Sequence, residues 1–162
     1  MSNGERPTGG PTTRRSLLRR PPLLFAAAIA TGVVLHLAWP LSFTSRAALW
    51  PIGATVAAAG VALFVAAIRE FAAAGTPVPG NQPTTGIVRS GPYRFSRNPI
   101  YVAFALIHLG IAVAVGSWWL LLTLAVSVSV IAMSVVPREE RYLEARFGST
   151  YSAYKSSVRR WL

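Results

Sequence analysis

The sequence contains no cysteine and no aspartate, and these absences exclude several kinds of site. Without cysteine, the chain cannot form a disulfide, a thiolate metal site or a cysteine nucleophile. Its acidic residues are five glutamates, and its histidines are His36 and His108. Because protein metal centres need several nitrogen, oxygen or sulfur ligands, the sequence predicts no metal site.

Charged residues are also scarce: they form 13% of the 162 residues, whereas 52% are hydrophobic. A soluble domain usually has about a quarter charged residues. The apolar residues come in blocks of roughly 20, the length that a helix needs to cross a bilayer. The sequence therefore predicts an integral membrane protein. Its net charge of +11 is explained by basic residues beside the spans, so nucleic acid is not an expected partner.

The fold class predicted from these blocks is an all-α membrane protein with four transmembrane helices. Their approximate bounds are 22–43, 47–68, 99–115 and 118–136. Residues 116 and 117 leave room only for a tight hairpin between the last two. Small residues four apart in the second block, such as Gly53 and Ala57, predict a surface where helices pack closely.

Beyond the fourth block, apolar residues recur every three or four positions from Leu143 to Val158. This spacing predicts a C-terminal amphipathic helix at the membrane interface, which Gly148 breaks or bends. We divide the chain into a basic arm (1–21), transmembrane helices 1 and 2 (22–68) and a cofactor-binding core (69–162).

The arm at residues 1–21 is polar and rich in arginine, which is typical of a disordered segment on an anionic leaflet. A cleaved signal peptide is the alternative, but the apolar run that follows is too long for one. If the N-terminus is cytoplasmic, every lysine and arginine except Arg46 lies on the cytoplasmic side, as positive charges prefer. The sequence thus predicts a plasma (inner) membrane protein with both termini and the active site cytoplasmic.

Two polar segments are predicted to meet at the cytoplasmic surface. The stretch GPYRFSRNPIY (91–101) precedes the third span, and Glu139 and Glu140 follow the fourth. Since these spans form an antiparallel hairpin, their cytoplasmic ends are neighbours. Asn98 and Pro99 are typical of a helix start, and a helix N-terminus attracts the carboxylate of a ligand.

The glutamate pair leaves two interpretations open. Acids beside an anionic leaflet either pair with nearby arginines (Arg94, Arg97, Arg138 or Arg141) or bind an ammonium or sulfonium group of a ligand. His36 and His108 lie inside spans, where a histidine either hydrogen-bonds a neighbouring helix or has a functional role. Of the two histidines, His108 is the one that could contact an acceptor substrate.

The segments GTPVPGNQPTTGIVRSGPYRFSRNPIY and EERYLEARFGSTYSAY resemble the core of the isoprenylcysteine carboxyl methyltransferase family. Bacterial relatives and phospholipid N-methyltransferases share this core. The resemblance implies a multi-span enzyme that binds S-adenosyl-L-methionine at its cytoplasmic face and takes a lipophilic or lipidated acceptor from the bilayer. The cofactor-binding residues that it implies are Thr85, Gly86, Ile87, Val88, Tyr93, Asn98, Pro99, Ile100, Tyr101, Glu139 and Glu140.

The sequence departs from the family pattern at two positions. Asn98 replaces a histidine, and Val135 stands where enzymes that methylate prenylcysteine have an arginine for the substrate carboxylate. We therefore expect an apolar acceptor that need not carry that carboxylate, unless Arg138 supplies the charge. No general base is identified, and Arg97 and Arg138 are the candidates for a catalytic role.

Two other functions fit parts of the sequence. An NADPH-dependent reductase resembling steroid 5α-reductases shares an Arg-x-Pro-x-Tyr segment, but the glutamate pair and the small polar region argue against it. A small transporter or structural four-helix protein is the other. Ion-coupled transport usually places an acid or base at mid-membrane, and the predicted spans contain no aspartate, glutamate, lysine or arginine.

Overall fold

The computed structural model describes residues 21–43, 46–78 and 84–162. Within these ranges the regular structure is helical, and the predicted basic arm lies outside them except for Pro21. The helices are α1 (Pro21–Ala38), α2 (Arg46–Ala73), α3 (Pro99–Val115), α4 (Trp118–Val130), α5 (Val136–Phe147) and α6 (Ser149–Ser157). A 3₁₀ turn, Gly91–Arg94, precedes α3, and a π-helical turn, Ile131–Val135, joins α4 to α5.

Among the described residues, three helical segments are long and apolar enough to cross a membrane: Pro21–Ala38, Leu49–Ala73 and Trp118–Phe147. The helix α3 is also apolar but has 17 residues, which span about 25 Å at 1.5 Å per residue. A bilayer core is about 30 Å thick. The prediction of an all-helical fold is confirmed for the described residues, and three helices have the length and composition of membrane spans. The fourth span stays a prediction.

The connection between α3 and α4 is the tight hairpin that the sequence predicts. Gly116 ends α3 with φ of +67°, a left-handed conformation that glycine adopts without strain. The side chain of Ser117 then accepts the N–H of Leu120 at 3.4 Å and caps α4. As a result, the start of α3 lies beside the first turn of α5.

The fourth predicted block ends at residue 136, just before Pro137, but the helical segment that contains α4 continues past this proline. Proline lacks an N–H and clashes with the carbonyl four residues earlier in a regular helix. Here the preceding turn widens, and the N–H of Val136 donates to the carbonyl of Ile131, five residues back. The π turn admits the proline, so the chain continues as α5 to Phe147.

Among the described helices, α2 and α3 pack most closely. Gly60 faces Ile107, and a Cβ added at Gly60 would lie 2.8 Å from the Ile107 backbone nitrogen. Gly53 and Gly110 meet in the same way one or two turns farther along. On the other side, α1 packs against α4, and α3 contacts α4. The predicted small-residue packing surface on α2 is therefore confirmed.

The segment after Phe147 divides at Gly148, which has φ of +51° and ψ of −125°. Residues with a side chain rarely adopt this conformation. Beyond it, α6 buries Tyr151 and Tyr154. The prediction that Gly148 breaks the amphipathic tail into two shorter helices is confirmed.

Candidate active site

A tyrosine–glutamate hydrogen bond joins the first turn of α3 to the first turn of α5. The Tyr101 hydroxyl donates to Oε1 of Glu139 at 2.7 Å, and the Tyr101 side chain is buried. The contact confirms that the α3–α4 hairpin brings together the two segments that the sequence analysis selected.

The two adjacent glutamates have different partners. Glu140 is buried, and its carboxylate pairs with Nη1 of Arg97 at 3.0 Å and with Arg160 through Nε at 3.0 Å and Nη2 at 2.7 Å. Among the described residues, no ion pair includes Glu139. Successive helical residues point about 100° apart, which separates the two carboxylates. Glu140 therefore forms the ion pairs, whereas the carboxylate of Glu139 accepts the hydrogen bond of Tyr101.

Arg97 and Arg138, the two candidates for a catalytic role, have different environments. The Arg97 guanidinium is buried against Glu140, and its Nε has no hydrogen-bond partner among the described residues. Leaving a buried donor unpaired is costly, so this atom suits an acceptor group of a ligand. The Arg138 side chain is exposed, so the structure brings only Arg97 to the site.

The start of α3 offers fewer donors than its sequence suggests. Asn98 occupies the position before the helix, but its Nδ2 donates to the Arg160 carbonyl at 2.9 Å and does not cap α3. Pro99 has no N–H, and the N–H groups of Tyr101 and Val102 donate to the Asn98 carbonyl. Ile100 therefore retains the first-turn N–H that can reach a ligand.

The loop before α3 is held against α2 by apolar contacts. Val88 and Tyr93 are buried in a cluster with Ala67 and Phe71 of α2, and Ile100 packs against it. The rings of Phe71 and Tyr93 meet edge-on with centroids 5.2 Å apart. Two of the predicted cofactor-binding residues thus form a fixed wall next to the start of α3.

The preceding part of the loop is nearer to solvent. Thr85 is exposed and its N–H donates to Oγ1 of Thr76 at 2.9 Å, while Gly86 and Ile87 are half-buried. Thr84 is buried, and its Oγ1 lacks a hydrogen-bond partner among the described residues. Residues 79–83 of this loop lie outside the described residues.

Tyr93 links the loop to α6, because its carbonyl accepts the Tyr154 hydroxyl at 2.8 Å. Burial raises the pKa of the Tyr93 phenol above its ordinary value, and the nearby Tyr154, Glu139 and Glu70 add to the effect. Burial, with a smaller effect of Tyr151, raises the pKa of Tyr154 to about 12. Both phenols are therefore neutral at pH 7 and do not act as bases, and the Tyr154 hydroxyl serves as a hydrogen-bond donor.

Glu70, which the sequence analysis did not select, fixes the same loop from α2. Its carboxylate accepts the Ser90 hydroxyl and lies against Gly91, where φ is +55°. A side chain at position 91 would collide with this carboxylate. The sequence did contain an indication that Glu70 has a role at the site. Glu70 is one of only five acidic residues, and it lies at the basic end of a predicted span.

An apolar cavity of about 200 Å³, which we call the groove, lies between α1, α3 and α4. It follows α3 from Tyr101 to Leu109, about 12 Å at 1.5 Å per residue. Its lining includes Phe25, Tyr101, Leu106, Leu109, Leu124 and Trp161. The ring of Tyr101 borders the groove while its hydroxyl holds Glu139, so the apolar and polar parts of the site meet at this residue.

Residues 158–162, which we call the strap, run from α6 across the start of α3. The N–H of Arg97 donates to the Arg159 carbonyl at 2.9 Å, and Ser96 pairs with Arg159 in a short parallel bridge. Trp161 packs against the apolar cluster around Tyr101 and also lines the groove. From the sequence alone, this segment was predicted only to be the end of an amphipathic tail.

His108 lies between helices and not in the groove lining. Its Nε2 is 3.3 Å from Oγ1 of Thr123 on α4, which agrees with a hydrogen bond to a neighbouring helix. Its ring meets Phe25 edge-on. His36 is also buried. In the described part of the chain, no three histidine or acidic side chains lie together as potential metal ligands.

Comparison with known proteins gives the family. Residues 49–150, more than half of the chain, match the model of the phospholipid methyltransferase family. The chain belongs to this family. A protein of Haemophilus influenzae with no characterised function is 38% identical over 63 residues, which cover 39% of this chain and 100% of that protein.

Phospholipid methyltransferases are related to the isoprenylcysteine carboxyl methyltransferases, so the resemblance seen in the sequence is confirmed at the family level. The matched range includes Glu70, Tyr101 and Glu139 but ends before Arg160 and Trp161. Sequence reasoning did not find these last two, because an irregular segment has no periodic pattern that indicates where its side chains lie.

Proposed function

We propose that this chain is an integral membrane methyltransferase that uses S-adenosyl-L-methionine and methylates a lipophilic acceptor entering from the bilayer. The family match supports the reaction class. The observation that carries the proposal is the position of Tyr101, whose ring borders the apolar groove and whose hydroxyl holds Glu139. A lipid-soluble acceptor and a polar cofactor can approach each other there from opposite sides.

The residues around Tyr101 suit the charged groups of this cofactor, which carries an ammonium and a carboxylate. Glu139 is the candidate partner for the ammonium, since it takes part in none of the ion pairs between described residues. Nε of Arg97 and the N–H of Ile100 are candidate donors to the carboxylate. Glu140 supports the site by holding Arg97 in place.

The remaining proposed contacts follow from the family resemblance. Val88 and Tyr93 form an apolar wall that suits the adenine ring. Thr85, Gly86, Ile87, Asn98 and Pro99 complete the proposed cofactor site. No metal is part of this proposal.

When bound, the cofactor supplies a methyl group on a sulfonium: an acceptor lone pair bonds to the methyl carbon while the carbon–sulfur bond breaks, and S-adenosylhomocysteine is released. The protein contributes by aligning the acceptor in a site shielded from water. The buried side chains of Tyr93 and Tyr101 shield it. Since the Tyr93 phenol stays neutral, the acceptor is expected to arrive ionised or to lose its proton to solvent.

The acceptor is proposed to be apolar near its reactive end. Val135 is buried in a cluster with Phe25, Tyr101 and Ile131. By the family resemblance, enzymes that methylate prenylcysteine would have an arginine at this position. The exposure of the Arg138 side chain supports the proposal that it does not replace that charge. Neutral lipophilic thiols or phenols are therefore better candidates than a prenylcysteine carboxylate. Efficient turnover of a prenylcysteine analogue, lost in Arg138→Ala, would contradict this choice.

We also propose that the protein lies in the plasma (inner) membrane, with this site and both termini on the cytoplasmic side. The basic residues that flank the described site, Arg69, Arg89, Arg94 and Arg141, support this orientation because positive charges collect on that side. Residues 69–162 remain the proposed cofactor-binding core, to which α2 adds Glu70 and Phe71 at its end.

The proposed function is tested by titrating the purified protein with S-adenosylhomocysteine and, separately, with NADPH. Binding of the first alone is expected. Glu139→Gln should weaken that binding by about 1.5–3 kcal/mol, because a hydrogen bond to a charged group contributes on this scale. Glu144→Gln is the matched control, since Glu144 pairs with Lys155 at a partly exposed position. Equal affinities in the two variants would remove Glu139 from the cofactor site.

A further inference from the structure

The strap is fixed to the candidate site by hydrogen bonds at two successive residues, Arg159 and Arg160. Arg159 accepts a backbone hydrogen bond from Arg97. The carbonyl of Arg160 accepts a hydrogen bond from Nδ2 of Asn98. The guanidinium of Arg160 binds both carboxylate oxygens of Glu140. A two-point contact between arginine and a carboxylate is geometrically specific. The position of the next residue, Trp161, is therefore set by the same groups that shape the polar site.

The side chain of Trp161 points the other way, into the apolar part. It packs against the cluster that contains Phe25, Tyr101 and Ile131, and it lines the groove. Tyr101 and Trp161 are thus the two rings at the end of the groove nearest to Glu139. From there the groove continues along α3 to Leu109, among side chains of the membrane helices.

We propose that Trp161 is a specificity-determining residue that closes the Glu139 end of the groove and sets how far the alkyl chain of the acceptor can advance. The inference rests on the proposed methyl transfer to a lipophilic acceptor. An alkyl chain that fills the groove from the bilayer side meets the indole ring, and its reactive end stops beside Tyr101. Because Arg160 ties the strap to Glu140, the position of this stop is coupled to the polar site.

The first test measures occupation of the groove without any methyl transfer. The full chain, with Trp39, Trp50, Trp118 and Trp119 replaced by phenylalanine, is placed in nanodiscs of dioleoylphosphatidylcholine and titrated with 1-bromododecane. We expect quenching of Trp161 fluorescence that reaches a plateau. If this variant does not fold, the difference between the wild-type chain and Trp161→Phe gives the same signal.

Replacing either of two alanines with phenylalanine provides the control for this titration. Ala105 lines the groove, whereas Ala125 of α4 is exposed on the helix surface. We expect Ala105→Phe to abolish the plateau and Ala125→Phe to preserve it. Quenching that rises in proportion to the probe, with equal slopes in both variants, would show that Trp161 contacts bulk lipid and would overturn the proposal.

The second test measures methylation of n-alkanethiols of increasing chain length. Removing the indole in Trp161→Ala should shift the preferred chain length of the thiol upwards. Each additional methylene that the groove buries should change kcat/KM for the thiol about fourfold. The KM for the cofactor should stay unchanged. Trp161→Phe, which keeps a ring, should shift it less. An unchanged length profile in Trp161→Ala would overturn the proposal.

The two tests separate this proposal from the function on which it rests. Saturable quenching without methylation of any thiol would leave the groove and the strap in place and reject the methyltransferase function for these acceptors. Methylation with an unchanged length profile and unsaturable quenching would keep the function and reject the role of Trp161.

Discussion

At the scale of single residues, Glu139 and Glu140 are adjacent in sequence but differ in what surrounds them. The carboxylate of Glu140 is enclosed by Arg97 and Arg160, and that of Glu139 meets the neutral hydroxyl of Tyr101. The sequence predicted that the pair lies at the site but left both roles open. One step along a helix changes direction by about 100°, and only the packing of α5 decides which residue faces the arginines.

Glu140→Gln is expected to destabilise the protein strongly, because the buried Arg97 loses its counter-charge, which the partly exposed Arg160 shares. Removing one partner of a buried ion pair costs about 3–5 kcal/mol, and the Glu140 side chain is 8% exposed. Thermal unfolding in detergent measures the effect. Glu144→Gln is the control, with an expected loss of about 0–1 kcal/mol for its exposed pair. Equal losses in the two variants would show that the Glu140 network does not support the fold.

At the scale of helices, local steric rules predicted some boundaries and missed others. Pro99 begins α3 and Gly116 ends it because each residue has a backbone conformation suited to that end of a helix. Pro137 was expected to end a helix, but a π turn admits it. The cost of that wider turn is offset by packing of Val135 and Val136 in the core, a tertiary effect that no local rule includes.

Gly148→Ala should destabilise the junction between α5 and α6 by about 1–3 kcal/mol, the scale of a residue held in a conformation reserved for glycine. Its φ is +51° and open space surrounds it, so the cost is backbone strain and not a collision. Gly86 also has open space but no positive φ. Gly86→Ala should therefore be neutral or stabilise by up to about 1 kcal/mol.

Thermal unfolding of both glycine variants distinguishes strain from a general effect of adding a methyl group. Loss of Tyr154 packing should accompany the effect of Gly148→Ala, because α6 begins immediately after this residue. If both alanine variants unfold at the wild-type temperature, the left-handed junction does not hold α6 in place.

At the scale of the whole molecule, the sequence predicted the all-helical class, the α3–α4 hairpin and the meeting of residues 91–101 with Glu139 and Glu140. Each depends on hydrophobic length or on a single tight connection, which are readable from composition and spacing. The groove and the strap were not predicted. The groove requires the positions of three helices at once, and the strap depends on hydrogen bonds between residues about 60 positions apart.

The proposed orientation of the molecule is testable because the chain has no native cysteine. Ser42→Cys and Ser157→Cys introduce single thiols at exposed positions, one after α1 and one at the end of α6. We expect a membrane-impermeant maleimide to label position 42 in spheroplasts and position 157 in inverted vesicles. The opposite pattern, or labelling of both positions from the same side, would contradict the orientation.

The hydrogen bond between Asn98 and Arg160 also imposes an order on biosynthesis. These residues are 62 positions apart, and a ribosome that adds about 5–20 residues per second needs roughly 3–12 s to make the intervening chain. The apolar helices that the structure describes have all been synthesised before Arg160 emerges to pair with Glu140. Insertion into the membrane is therefore separated in time from assembly of the candidate site, and a newly inserted chain completes that site only when the strap folds back over α3.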